Sequence, residues 1–208
     1  MVANPPSAGA KNTEARSTEV PSSALGVFCG SRSGNDDSVH ALARDLGSAL
    51  AAANVDLIYG GASIGVMGTL ADAVLESGGR AVGVIPVDLF SREVAHDGLT
   101  ELIEVTDMHE RKRTMYDRSD AFCALPGGYG TLEEVFEAAT WTQLGLHSRP
   151  KPIGLLDGST VDRPRFWSGL EEFLDRAVTD GFVGAQNRSI VRRVDSVAAA
   201  VRLTNYAG

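Results

Sequence analysis

Apolar and polar positions change period many times along this chain, and each change marks an element. Met1 to about Ser23 shows no apolar period; Pro5, Pro6, Ser7, Gly9, Ser17 and Ser22 mix with scattered charges. Such a segment buries too little apolar surface to offset its ordering entropy, so a disordered tail is predicted over 1–23 and one domain over 24–208. The domain opens on Leu25–Cys29, a short apolar run closed by Gly30, which reads as a buried parallel strand feeding a loop. Val39–Ala53 then carries Val39, Leu42, Leu46 and Leu50 at helical spacing. Val55–Tyr59 reads as a strand ended by Gly60 and Gly61, Gly65–Glu76 as a helix stopped by Gly78 and Gly79, and Ala81–Ile85 as a strand ended by Pro86. After an irregular stretch, Val87–Leu99, come a strand at Leu102–Val105, a polar helix at Met108–Arg118 and a strand at Ala121–Leu125. A glycine loop leads into a long helix from Thr131 to about Leu144. Pro152–Leu156 and Ile190–Val194 read as the last strands. Phe166–Thr179, with an apolar face at Leu170, Phe173, Leu174 and Ala177, and Val197 to about Leu203 read as the last helices.

Strands alternating with helices predict an α/β fold, a Rossmann-like doubly wound parallel sheet with helices on both faces. Ligands of such sheets bind beyond the carboxyl ends of the strands. Candidate chemistry is therefore sought after Cys29, Tyr59, Ile85, Val105 and Leu125.

Composition narrows the function classes. The 208 residues suit one domain, and 43% hydrophobic with 22% charged residues allow a globular core. A net charge of −8 argues against a general nucleic-acid binder while leaving room for a local basic pocket. The two cysteines, Cys29 and Cys123, form no CxxC, so neither a disulfide scaffold nor a zinc ribbon is expected. Four scattered histidines suggest no metal site. Apolar stretches are too short to span a bilayer, and no basic segment precedes an apolar one near Met1. A soluble cytoplasmic protein is the expectation.

The densest chemical signal is Pro126–Glu134, PGGYGTLEE, which follows a strand and opens a helix. Three glycines free the backbone N–H groups to face outward, and a helix N-terminus adds partial positive charge, so the segment can cradle a phosphate. It is neither a P-loop nor a dinucleotide fingerprint, because the spacing differs. Thr131 and Glu134 alone would also fit a helix-capping box, with Thr131 as N-cap. A second signal is the run His109–Arg113 at the start of a helix that Asp107 can cap. Consecutive cations near a helix N-terminus oppose its dipole, so a bound anion would explain them; a solvated basic turn is the plainer alternative. A third, weaker signal is Gly60–Gly68, GGASIGVMG, either a strand-to-helix turn or a backbone approach to a ligand.

With FCGSR at 28–32, YGGASIGVMG at 59–68 and GVIP at 83–86, the motifs MHERK at 108–112 and PGGYGTLEE at 126–134 make the chain resemble the LOG (LONELY GUY) family. These are the cytokinin riboside 5′-monophosphate phosphoribohydrolases. The resemblance runs from Leu25 onward. It implies hydrolysis of the N-glycosidic bond of a purine-type nucleoside 5′-monophosphate, cytokinin ribotides and AMP among them, to free base and ribose 5-phosphate. It implies Arg111 and Glu134 as the catalytic pair and Gly127, Gly128, Gly130 and Thr131 as the phosphate site, with Lys112, Tyr129 and Glu133 beside them. Glu93 and Thr140 match further substrate-contact positions. No cofactor is implied, and homodimers with sites near the subunit interface are, a role to which the exposed-looking Trp141 and Leu144 are suited.

Physical reasoning agrees. Glycosyl cleavage passes through an oxocarbenium-like state that needs an anion beside the sugar and a positioned water. Glu134, expected in the first helical turn, would be kept ionised by the dipole. Arg111 does not give up its proton and is expected to orient Glu134 and hold substrate. A competing reading is a non-enzymatic carrier of a phosphorylated cofactor, as in molybdenum-cofactor carriers, which needs the cradle but no carboxylate at the sugar. A decarboxylase would need a cofactor-binding lysine, and neither Lys112 nor Lys151 has that context.

Overall fold

The computed structural model describes residues 23–87, 95–158 and 165–205. Its strands are β1 (Ala24–Phe28), β2 (Asp56–Tyr59), β3 (Ala81–Pro86), β4 (Glu101–Val105), β5 (Ala121–Ala124), β6 (Ile153–Leu155) and β7 (Val191–Arg193). They form one sheet in the order β4-β3-β2-β1-β5-β6-β7, and every neighbouring pair is parallel. The helices are α1 (Asp37–Ala52), α2 (Gly65–Glu76), α3 (Met108–Arg118), α4 (Tyr129–Gln143), α5 (Ser168–Thr179) and α6 (Val197–Val201).

Side-chain alternation along the strands builds two cores. Leu25, Val27, Leu57, Tyr59, Ala121 and Cys123 face α1, α2 and α6, while Phe28, Ile58, Phe122 and Ala124 face α3 and α4. Leu170 and Leu174 of α5 pack onto the second layer, but Phe173, expected on the same apolar face, is exposed. The doubly wound architecture is as the pattern of the chain predicts.

Two local expectations are corrected, and one element had no sequence signal. α4 begins at Tyr129 with Gly128 as N-cap, not at Thr131, because the glycine loop is tighter than its length suggested. Trp141 is half-buried, its ring edge-on to Tyr116 at 5.2 Å, whereas Leu144 is exposed. A 3-10 turn at Ala185–Ile190, with no apolar period to announce it, joins α5 to β7. The expected tail, 1–23, falls outside the described residues except for Ser23.

The chain order reverses between β1 and β5, where β1 has β2 on one side and β5 on the other. Loops leaving these two strands diverge, and an open sheet binds its ligands in the crevice so formed.

Candidate active site

A cleft of about 930 Å³ lies at this switch point. Its walls are the loop after β1, the start of α2, Met108 and Arg111 of α3, the Pro126–Thr131 turn with Glu133 and Glu134, and Asp157, Gly158 and Phe166.

The Pro126–Thr131 turn lines the cleft and opens α4 without a capping side chain. Gly128 caps α4 without any side-chain hydrogen bond, and the first helical bond runs from Leu132 N–H to the Gly128 carbonyl at 3.1 Å. The N–H groups of the first turn thus have no acceptor within the helix. Thr131 does not cap: its side chain folds back over Gly127, where a Cβ would stand 2.1 Å from Thr131 Oγ1. A Cβ added at Gly128 or Gly130 would meet nothing within 4 Å. Packing therefore explains Gly127 but neither Gly128 nor Gly130, as expected of a backbone that a ligand approaches closely. The capping-box reading of Thr131 and Glu134 is overturned. Glu134 sits in the second turn, where the dipole acts more weakly than expected. Its charge reaches the end of β1: burial first, and then the Glu134 carboxylate, push the Cys29 thiol well above its ordinary value.

Arg111 is placed by α3. Asp107 caps that helix, accepting from the His109 and Glu110 N–H groups at 2.8 and 2.9 Å, and Glu110 reaches back to Thr106 N–H at 2.7 Å. Arg111, 6% exposed, donates from Nη2 to the Gly60 carbonyl at 2.9 Å. A Cβ on Gly60 would lie 2.2 Å from that nitrogen, so Gly60 supplies both the acceptor and the space. Arg111 and Lys112 are therefore buried groups and not a solvated basic turn, while Arg113 is exposed.

Lys112 turns the other way. Its Nζ meets Glu133 at 2.5 Å and Glu137 at 3.0 Å, tying α3 to α4. Burial alone would lower the ammonium pKa; the two carboxylates outweigh it and hold Lys112 above its ordinary value. Tyr116 adds a bond from its hydroxyl to Glu137 at 2.7 Å. Glu133 thus joins the cleft wall to this clamp.

The remaining expected residues are dispersed. Tyr129 stands at the cleft wall, 94% exposed. Thr140 lies about 13 Å farther along α4 than Thr131, outside the cleft wall, and donates to its own Phe136 carbonyl at 2.7 Å. Glu93 lies outside the described residues. The Gly60–Gly68 stretch braces the β1 loop: Val66 and Met67 N–H groups donate to the Gly30 carbonyl at 3.1 and 3.4 Å. Asp157 and Phe166 were missed, although Asp157-Gly158 directly follows an apolar run and so marks one more strand end.

Among the described residues no group of three or more His, Cys, Asp or Glu side chains could hold a metal ion, and no helix is long and apolar enough to cross a membrane. Neither Lys112 nor Lys151 lines the cleft, and Lys151 Nζ is committed to the Tyr116 carbonyl at 2.6 Å.

Residues 67–204 match the family model described as "Possible lysine decarboxylase". A probable cytokinin riboside 5′-monophosphate phosphoribohydrolase of Oryza sativa subsp. japonica, LOGL9, is 48% identical over 181 residues, covering 86% of this chain and 77% of the rice protein. The Arabidopsis thaliana cytokinin riboside 5′-monophosphate phosphoribohydrolase LOG1 is 45% identical, covering 85% and 79%. The chain belongs to the LOG family. Among solved structures, the molybdenum cofactor carrier protein of Chlamydomonas reinhardtii superposes with a TM-score of 0.64 at 23% identity, covering 88% of this chain and 96% of that one. At that identity the likeness shows a shared fold alone. The decarboxylase wording of the family model fits this cleft poorly, since no described lysine faces it to carry a pyridoxal cofactor.

Proposed function

We propose that this LOG-family protein is a phosphoribohydrolase that cleaves the N-glycosidic bond of cytokinin riboside 5′-monophosphates, and of AMP, to free base and ribose 5-phosphate. The observation that carries the reading is the meeting of Arg111 and Glu134 in one cleft with a helix N-terminus whose Gly128 and Gly130 leave room for a close ligand. The 5′-phosphate accepts from the first-turn N–H groups of α4, with the helix dipole behind them. That anchor places the sugar beside Glu134, whose negative charge stabilises the oxocarbenium-like state and orients the attacking water. Arg111, fixed by Gly60, holds the substrate and orients Glu134. Tyr129 and Thr131 complete the phosphate loop, and Lys112 acts through Glu133 by fixing α4. Glu93 and Thr140 contact substrate, Thr140 from across a homodimer interface that the exposed Phe136, Leu144 and Leu146 support. The protein works in the cytoplasm.

Incubation with nucleotide and nucleoside pairs tests this. AMP and isopentenyladenosine 5′-monophosphate should release free base at least about 10²-fold more efficiently than the corresponding nucleosides, since each charge-assisted hydrogen bond contributes about 1.5–3 kcal/mol. Equal efficiency with adenosine and AMP would remove the phosphate anchor from the scheme. Nucleotide binding without base release would favour a carrier.

A further inference from the structure

Asp157 lies on the cleft wall and is 7% exposed. Its Oδ2 accepts from the Trp167 N–H at 2.9 Å. Its Oδ1 is buried and has no hydrogen-bond partner among the described residues. Arg193 feels the Asp157 charge but gives its hydrogen bond to Glu171. Holding Trp167 ahead of α5 explains one carboxylate oxygen and leaves the other unexplained. Buried acceptors without partners are rare, and those in a ligand cleft are the ones a ligand can satisfy.

Position says which ligand group. Leu156 N–H donates to the Ala124 carbonyl at 2.9 Å, carrying the β5–β6 ladder one step past the strands. Asp157 therefore stands beside Pro126, about one strand spacing (~4.8 Å) from the root of the glycine loop. A phosphate oxygen cannot serve as partner there, because it is a like-charged acceptor. The donors of a nucleotide nearest its 5′-phosphate are the sugar hydroxyls; the base amine is farther away. Resting on the proposed function, we infer that Asp157 accepts a hydrogen bond from a ribose hydroxyl of the bound nucleotide and so makes the site selective for the ribo sugar.

The test is Asp157→Asn with AMP, 2′-deoxy-AMP, 3′-deoxy-AMP and purine riboside 5′-monophosphate. Asparagine keeps one oxygen for Trp167 and puts a donor where Oδ1 was. The melting temperature should hold within a few degrees, and kcat/KM for AMP should fall about 10- to 100-fold, the range for losing a hydrogen bond to a charged group. The wild-type to variant ratio, which cancels each substrate's intrinsic lability, should collapse toward one for the deoxy analogue lacking the contacted hydroxyl. It should stay full for purine riboside 5′-monophosphate, which has no exocyclic amine. Equal kcat/KM for AMP in both proteins would leave Asp157 as a support for Trp167 and overturn the inference. So would a penalty that persists with both deoxy analogues, or one that vanishes with the amine-free base. If the variant does not fold, titration of wild-type protein decides: one deoxy analogue must bind at least about tenfold more weakly than AMP, and equal binding of all three refutes the contact. AMP that binds without being cleaved would sink the hydrolase reading alone and leave the binding ratio to judge Asp157.

Discussion

Two glycine-rich turns open helices at the cleft, and they use their glycines in opposite ways. In Gly60–Gly68 the protein fills the vacated space itself. The Arg111 guanidinium occupies the place of a Gly60 side chain, the Ser31 backbone comes within 2.4 Å of a Gly65 Cβ, and the Ser63 carbonyl within 2.1 Å of a Gly68 Cβ. Gly65 also has a φ of +61°, which L side chains rarely adopt. In Gly127–Gly130 only Gly127 is filled, by Thr131, and the positions of Gly128 and Gly130 face open space. The α2 N-terminus gives its N–H groups to the Gly30 carbonyl, while the first turn of α4 has no capping side chain and its residues Tyr129, Gly130 and Thr131 line the cleft. Identical residue types thus serve internal packing in one turn and leave open space in the other; what surrounds the glycine decides, not the glycine.

The largest effect should come from the carboxylate beside the open turn. Glu134→Gln should lower turnover about 10²–10³-fold, as the loss of a preorganised charge does, while nucleotide binding survives. Because Glu134 lies past the first turn and does not cap α4, the thermal melt should move little. A folded variant with wild-type turnover would refute the catalytic role proposed for Glu134.

The filled turn is broken at Gly60→Ala. The new methyl group would collide with the far end of Arg111, a flexible side chain, so the guanidinium moves and the fold persists. Activity should drop about 10- to 100-fold through loss of the Arg111 hydrogen bonds, with a stability cost of at most about 1–3 kcal/mol. Turnover and a denaturant melt on the same sample separate the two; an active Gly60→Ala variant would show that Arg111 works without its seat.

Gly130→Ala sharpens the contrast by separating two signs. Gly130 is helical and its side-chain space is open, so alanine should raise stability by about 0.5–1 kcal/mol. In the same variant the methyl group enters the open space proposed for the phosphate, and AMP affinity should weaken several-fold. A gain in stability with unchanged affinity would mean that no ligand approaches Gly130.

The smallest effect lies away from both turns. His147 is enclosed by Tyr116, Phe122 and Trp141, and burial, with Lys151 adding to it, holds its imidazole below the ordinary 6.5. Unfolded His147 therefore takes up a proton before folded His147 does. Its contribution to stability is full above pH 6.5 and is lost as the pH falls through the folded value. Melts across that window should show a shallower acid decline in His147→Gln than in wild type, with turnover per folded molecule unchanged; parallel declines would exclude His147 as the cause.

Much of this was legible in one dimension. Strands with continuous apolar runs and helices at 3.6-residue spacing specify a parallel α/β sheet, because each pattern buries its apolar face in only one geometry. Capping of α3 by Asp107 could be read locally, since the cap and the N–H groups it satisfies are at most three residues apart. PGGYGTLEE marked the glycine loop locally, and the family resemblance that it carries with MHERK pointed to Arg111 and Glu134. The tertiary structure alone decided which glycines stay open, because that depends on atoms far along the chain: Arg111 is 51 residues from Gly60. It alone turned Lys112 away from the cleft toward Glu133 and Glu137, moved the start of α4 to Tyr129, and brought Asp157 to the root of the loop after β5. Local order follows from short-range hydrogen bonding and side-chain period; the direction of a long side chain and the company of a buried carboxylate follow from packing between distant segments, which no window of sequence contains.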